Sequence, residues 1–209
     1  MLNLGERFAA KLAARPQMPV PPEPGLLLSL GIPRPMHGLA PRVVMGKEWW
    51  DQTRNEAYQR TNFHCLACEV HKTEAKFHRW LEAHEIYDIH FSKGRMKYLE
   101  TVPLCHACHC YVHLGRTWNL MQQGQVTEEK FLEIYNHGQQ ILIKAGLPHP
   151  SYQEVSDALT NLEMYGKAAP WEKWRLCIGK KKYKPLYESY EDWVNSVQAF
   201  KNAPLEIDE

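Results

Sequence analysis

Two Cys-x-x-Cys pairs, Cys65–Cys68 and Cys105–Cys108, constrain this chain more than any other feature of its sequence. Tetrahedral Zn²⁺ accepts four thiolates, and two such pairs are a common way of supplying them. Residues 69–104 lie between the pairs, whereas a simple zinc ribbon separates its pairs by about 15–20 residues. The pairs therefore predict a structural zinc site with further structure inside the loop that the zinc closes. The alternative is a redox-active pair or simply buried thiols.

The composition is that of an ordinary globular chain and leaves its partners open. Hydrophobic residues make up 44% of the sequence, charged residues 23%, and the formal net charge is +1. Any basic surface must therefore be local. No apolar run approaches the ~20 residues that span a bilayer, so we expect no membrane partner and a cytoplasmic location. The oligomeric state is left open.

The sequence predicts an organisation in three parts. Residues 1–45 combine a short amphipathic helix, about Leu4–Ala14, with a proline-rich arm over residues 16–41 in which long helices cannot form. Residues 46–120 hold the metal-rich segment. Residues 121–209 are predicted to form a helical extension with a basic hairpin.

Capping residues define the elements of this extension. Thr127 is predicted to cap a long helix that ends at Gly146, and Ser151 to cap the helix that follows. Two short strands are expected around the Gly179–Lys180 turn. A last helix is predicted over residues 190–201.

Histidines near the cysteines indicate a second metal site. His109 and His113 are four residues apart, so on a helix they project from one face and can hold one ion. Two strand-like runs precede Cys105, and the first of them carries the adjacent residues His84 and Glu85. With the thiolates committed to zinc, imidazoles are available for another ion.

This order of Cys-x-x-Cys, strand with histidine, strand, and Cys-x-x-Cys-His-x-x-x-His resembles the HNH nuclease family. The match is to the zinc-stabilised branch that carries His-Glu in place of His-His, and it covers roughly Trp50–Arg116. The resemblance implies an α+β fold built on a small zinc-stapled ββα-metal (His-Me finger) core, with additional helices and a C-terminal β-hairpin. It also implies hydrolysis of DNA phosphodiester bonds with Mg²⁺, Mn²⁺ or another divalent ion. Such compact nucleases are common in phages, mobile elements and restriction systems, so a phage-encoded chain would act in the host cytoplasm.

By this resemblance, three histidines hold the catalytic divalent ion: His84 on the strand, and His109 and His113 on the helix. Coordination positions would remain for a phosphate oxygen and water. Arg116, one turn beyond His113, would contact a flanking phosphate.

The resemblance is less complete around the general base. Glu85 stands where the family usually has the histidine that activates water, and a carboxylate of ordinary pKa, about 4.3, is a weaker base than imidazole. Glu100 replaces the asparagine that normally constrains the loop holding the base. Asp88 and His90 are further candidates for this role.

Local positive charge marks the expected contacts with DNA. Residues 172–187 contain six basic residues against one acidic residue, and this excess suits a phosphate backbone. Arg95 in the turn between the two strands is a further candidate. The alternative is a solvated hairpin whose aromatic residues face the core, and these residues are Trp171, Trp174, Tyr183 and Tyr187. The lysines predicted to contact nucleic acid are Lys180, Lys181, Lys182 and Lys184.

Two other interpretations remain open at this point. The first is a catalytically inactive module that uses the same zinc-stabilised scaffold to bind nucleic acid or protein. The second is a purely structural zinc protein in which the histidines are core residues. DNA as substrate is therefore an expectation from the resemblance.

Overall fold

The computed structural model describes residues 17–29, 31–164 and 167–202. The helix predicted at Leu4–Ala14 lies outside the described residues. Within them the chain is α+β, as predicted, with one four-stranded sheet and seven α-helices. In the same part of the chain, no helix is both long and apolar enough to cross a membrane.

Several helices lie where composition and capping residues predict them, whereas Pro41–Met45 and Leu114–Gln122 were not predicted as separate helices. The proline-rich arm contains only short 3₁₀ turns over the described residues before Pro41, at Pro24–Leu28 and Arg34–Met36. The α-helices are α1 Pro41–Met45, α2 Lys47–Arg60, α3 His106–Val112, α4 Leu114–Gln122, α5 Glu128–Lys144, α6 Tyr152–Met164 and α7 Tyr190–Asn202.

Side-chain caps explain where α5 and α6 begin. The Thr127 hydroxyl accepts a hydrogen bond from the backbone N–H of Lys130 at 3.2 Å. The hydroxyl of Ser151 accepts one from the backbone N–H of Glu154 at 3.3 Å, while the Glu154 carboxylate accepts one from the backbone N–H of Ser151 at 2.7 Å. This reciprocal pair is a capping box, and it satisfies donors that have no partner within the helix. Both caps were predicted from the sequence.

The sheet has the order β1-β2-β3-β4. The connection between β1 and β2 is only four residues long, which requires the two strands to run antiparallel. Strands β2 and β3 pair in parallel with Arg95 opposite Arg175, and β3 and β4 form the predicted hairpin with Cys177 opposite Lys182. The strands are β1 Leu81–His90, β2 Arg95–Cys105, β3 Arg175–Ile178 and β4 Lys181–Tyr183.

The described residues group into two units. The first contains segments 17–28, 54–84 and 102–149, and the second contains the other described segments. All of the cysteines of the two Cys-x-x-Cys pairs belong to the first unit. The sequence-based boundaries at residues 45 and 120 stay a prediction.

The second unit has its own apolar core, built from the arm, β2 and β3. Met36, Met96, Trp174 and Leu176 are each at most 1% exposed, and they pack in one cluster against which Tyr183 is also placed. Two aromatic residues of the hairpin therefore face the core, and its lysines are left at the surface.

In the first unit, a glycine sets the distance between α3 and α5. Gly138 lies in the middle of α5 and is buried, and a Cβ atom at this position would overlap the ring of Tyr111 on α3. The amide of Gln139 then donates a hydrogen bond to the Tyr111 hydroxyl at 2.8 Å. The close approach places α5 against the helix that carries Cys108 and His109.

Candidate functional site

The four paired cysteines, Cys65, Cys68, Cys105 and Cys108, come together and could hold a metal ion such as zinc. Their Sγ atoms all lie within 4.8 Å of one another. The Sγ atoms of Cys68 and Cys105 are 3.7 Å apart. A disulfide would require about 2.05 Å, whereas two sulfurs around tetrahedral Zn²⁺ at about 2.3 Å are about 3.8 Å apart. The separation fits shared coordination of one ion.

Crowding of the thiols favours a divalent ion in place of their protons. Hydrogen bonds from Cys108, Cys65 and Cys68 lower the pKa of Cys105. Hydrogen bonding with Cys105 in turn raises the pKa of Cys68 and of Cys108. A zinc ion at this position would stabilise the four sulfurs as thiolates.

Backbone hydrogen bonds bring the two cysteine pairs together. Leu66, inside the first pair, donates its N–H to the carbonyl of Pro103, near the end of β2, at 2.9 Å. The first pair also closes on itself, because Cys65 donates to the carbonyl of Val70 and Glu69 donates to the carbonyl of Cys65, both at 2.9 Å. The end of β2 then places Cys105 beside the first pair, and α3 starts with the residue that follows.

His137 on α5 is a contact that the sequence did not reveal. Its Nε2 lies 3.4 Å from the Sγ of Cys108. A hydrogen-bond donor next to a ligating sulfur stabilises the thiolate and tunes the site. The cysteine cluster is thereby connected to the longest helix of the first unit.

Three histidines named by the sequence form a second cluster. His84 is buried, His109 and His113 are half-buried, and one nitrogen from each ring lies within 4.8 Å of the others. The ring centroids are 5.5 Å apart for His84 and His109, 4.9 Å for His84 and His113, and 4.7 Å for His109 and His113. Three imidazoles in this arrangement suit a divalent transition ion or zinc.

His113 lies just beyond the helix that carries His109. Helix α3 ends at Val112, and His113 has φ −97° and ψ 37° between α3 and α4. Its N–H still donates to the carbonyl of His109 at 3.1 Å, which retains the four-residue spacing. The hydroxyl of Thr117 donates to the carbonyls of Cys110 and His113 at this junction. The junction is thus hydrogen-bonded although the helix is interrupted.

Glu82 is the main functional candidate that the sequence analysis missed. One carboxylate oxygen lies 2.5 Å from Nδ1 of His109, and the other lies 2.6 Å from Nδ1 of His106. Burial alone would raise the pKa of Glu82, but hydrogen bonds from His106 and His109 hold it well below its usual value. A carboxylate on Nδ1 fixes the ring of His109 and leaves Nε2 available to an ion. The only sequence signal is strand alternation, which places residues 82 and 84 on one face of β1.

His106 is held between two acidic partners. Its Nε2 is 3.5 Å from Sγ of Cys110, and its Nδ1 is bonded to Glu82. Contacts with Cys110 and then with Glu82 raise the pKa of His106 to about 9.

A cleft of about 210 Å³ opens over these side chains. It is lined by carboxylate and imidazole groups and by cationic side chains. The cationic side chains favour the binding of an anion, and the imidazole and carboxylate groups favour the binding of a metal ion. Its polar lining includes Glu82, His106, His109, His113, Arg116 and Lys130.

Glu85 has a different partner. Its carboxylate, 9% exposed, accepts a hydrogen bond from Nη1 of Arg42 at 3.0 Å. Successive side chains of a strand point to opposite faces, so within β1 Glu85 faces away from the side to which His84 projects. Asp88, a further candidate base, lies 3.5 Å from both His90 and Arg95.

The predicted nucleic-acid contacts belong to different units. Arg116, in the first unit, lines the cleft, whereas Arg95, in the second, is half-exposed and paired with Asp88. The four hairpin lysines, also in the second unit, are exposed, and they are Lys180, Lys181, Lys182 and Lys184.

Comparisons with family models, with curated proteins and with solved structures find no match for this chain.

Proposed function

We propose that the chain is a metal-dependent endonuclease of the HNH type, with a zinc-stapled ββα-metal core that hydrolyses DNA phosphodiester bonds. The observation that carries this proposal is the convergence of His84, His109 and His113 on one point, separate from the cysteine cluster. The element order agrees with it, because β1 supplies the first histidine and α3 with its C-terminal junction supplies the other two.

In this proposal the residues of the cleft bind and orient the substrate. His84, His109 and His113 would hold a divalent ion, and three imidazole ligands favour Mn²⁺ or another transition ion over Mg²⁺. The ion would supply Lewis-acid stabilisation of the charge that develops on the phosphate. Glu82 fixes the ring of His109, while Arg116 offers two donors in the fork geometry that suits phosphate.

The hairpin lysines are proposed to bind the DNA backbone. Lys180, Lys181, Lys182 and Lys184 are exposed, and each phosphate that a cation neutralises releases counterions and adds affinity. Because Trp174 and Tyr183 pack in the core, this contact rests on charge and carries no base stacking by these two rings.

A second candidate function is a binding module without catalysis. The ion pair between Arg42 and Glu85 favours it, because a carboxylate oxygen that accepts a hydrogen bond from Arg42 is already engaged and is not simply presented to a water molecule. In that case the zinc-stabilised scaffold would bind nucleic acid or protein and the histidine cluster would have lost its reaction.

Conversion of supercoiled plasmid to open circles tests the nuclease proposal. The purified chain should nick plasmid in the presence of Mg²⁺, Mn²⁺ or Ni²⁺, and EDTA should stop the reaction. His149→Ala is the matched control, since His149 is exposed and lies outside the cysteine and histidine clusters. Plasmid binding without nicking under every ion would support the binding module instead.

Glu85→Gln tests the general base separately. The amide keeps the size of the side chain but loses the ability to accept a proton, so if Glu85 is the base the nicking rate should fall by about 10²–10⁴-fold. Arg42→Gln is the companion variant, because it removes the cation that engages the carboxylate and leaves the carboxylate in place. If Glu85→Gln cleaves at the rate of the wild type, another group, such as Asp88 or His90, activates the water.

A further inference from the structure

A third set of ligand atoms lies beside the histidine cluster. His78, Glu82 and His106 each offer one ligand atom, and these atoms all lie within 4.8 Å of one another. The three residues come from the segment before β1, from β1 and from the first turn of α3. We propose that they form a second histidine-containing site for a divalent cation, of the two-imidazole, one-carboxylate type and distinct from the site of His84, His109 and His113.

The rings of this set are held by their neighbours. His78 stacks on Trp80 with a centroid distance of 4.1 Å and an interplanar angle of 7°. It meets the ring of His106 at 4.2 Å in an edge-to-face arrangement. This stacking limits the rotation of His78, so less side-chain entropy is lost when an ion binds.

For His106 and Glu82, only a small movement separates the present geometry from coordination of one ion. Nδ1 of His106 and the nearer oxygen of Glu82 are 2.6 Å apart. Two ligands of a tetrahedral zinc ion at about 2.0–2.1 Å are about 3.3 Å apart, so the pair must open by roughly 0.7 Å.

The donor set indicates the class of ion. Two imidazoles and one carboxylate suit Zn²⁺ and neighbouring transition ions better than Mg²⁺ or Ca²⁺, which prefer oxygen ligands. Three protein ligands leave a fourth position open in tetrahedral geometry, as catalytic zinc sites do. Glu82 and His106 line the cleft described above, which gives an ion a path from solvent.

Glu82 connects the two sites. Its second oxygen lies on Nδ1 of His109 while the first belongs to the new set. The carboxylate can therefore serve as a ligand to one ion and as the hydrogen-bond acceptor for a ligand of the other. The site itself does not depend on nuclease activity.

The test counts bound ions per chain. After equilibrium dialysis of the full chain against Zn²⁺, elemental analysis should find one ion fewer in His78→Ala than in the wild type. His84→Ala should also lose one ion, and the double variant should lose two. His149→Ala should bind as many ions as the wild type, which accounts for weak binding by exposed histidines.

Folding is checked through the cysteine cluster. The thiolate-to-cobalt absorption of the Co²⁺-loaded chain should be the same in His78→Ala as in the wild type. If His78→Ala retains this absorption and still binds as many ions as the wild type, the three residues form a hydrogen-bond network only. Loss of an ion in His84→Ala but not in His78→Ala would likewise overturn the second site, while the proposed nuclease site would be retained.

Discussion

Replacing Cys105 with serine is expected to unfold the part of the chain that the four cysteines hold together. A structural zinc site contributes about 10–16 kcal/mol of apparent binding free energy, whereas a whole domain is stable by about 5–15 kcal/mol. The first unit therefore has little stability left without its ion. The loss should appear as missing near-ultraviolet circular dichroism and as one zinc fewer per chain by elemental analysis.

Cys177→Ser provides the matched control for this experiment. Cys177 is also buried, at 8% exposure, but it lies on β3 and is not a member of the cysteine cluster. Its replacement should cost no more than the about 1–3 kcal/mol of burying an unpaired hydroxyl, and it should leave the zinc content unchanged. A Cys105→Ser variant that melts like Cys177→Ser and keeps its zinc would contradict the four-cysteine assignment.

His113→Ala is expected to reduce nicking by about 10³-fold or more while zinc at the cysteines and folding are retained. A catalytic ion stabilises the transition state by several kcal/mol, and each 1.36 kcal/mol corresponds to a factor of ten in rate. Glu82→Gln should have the smaller effect of about 10–100-fold, because Glu82 orients His109 through a hydrogen bond. Initial rates of plasmid nicking at saturating Mn²⁺ provide the measurement.

The relative size of the two losses in nicking rate distinguishes a metal ligand, His113, from a residue that orients a ligand, Glu82. If Glu82→Gln loses as much rate as His113→Ala, and higher Mn²⁺ restores neither, Glu82 has a more direct role than holding an imidazole. If His113→Ala cleaves normally, the three histidines do not hold the ion on which cleavage depends. His149→Ala should match the wild type throughout.

Local signals in the sequence were sufficient for several elements. Thr127 and Ser151 cap the helices that they were predicted to cap, because a capping hydrogen bond involves only residues a few positions apart. The two cysteine pairs are also local signals, because the Cys-x-x-Cys spacing by itself predicts that both thiols of a pair bind the same ion. His109 and His113 also retain their spacing, although a junction interrupts the helix that was expected to hold both.

Contacts between distant segments could not be predicted in this way. Glu82 meets His109 across 27 residues (109 − 82), and His137 meets Cys108 across 29. Nothing in the residues near Glu82 or His137 marks them as partners of a metal ligand. Whether the side chains of Trp174 and Tyr183 face the core or the solvent could likewise not be predicted, because basic and aromatic residues alternate in a hairpin whichever face is buried.

The close approach at Gly138 has a consequence for how chains of this architecture can vary. A side chain at residue 138 and an aromatic ring at residue 111 exclude each other, so evolution must change the two positions together. Chains that share the architecture should pair glycine at the first with tyrosine at the second, or a larger residue at the first with a smaller one at the second. Such paired variation, added to the spacing of the cysteines and histidines, would identify relatives whose overall similarity has faded.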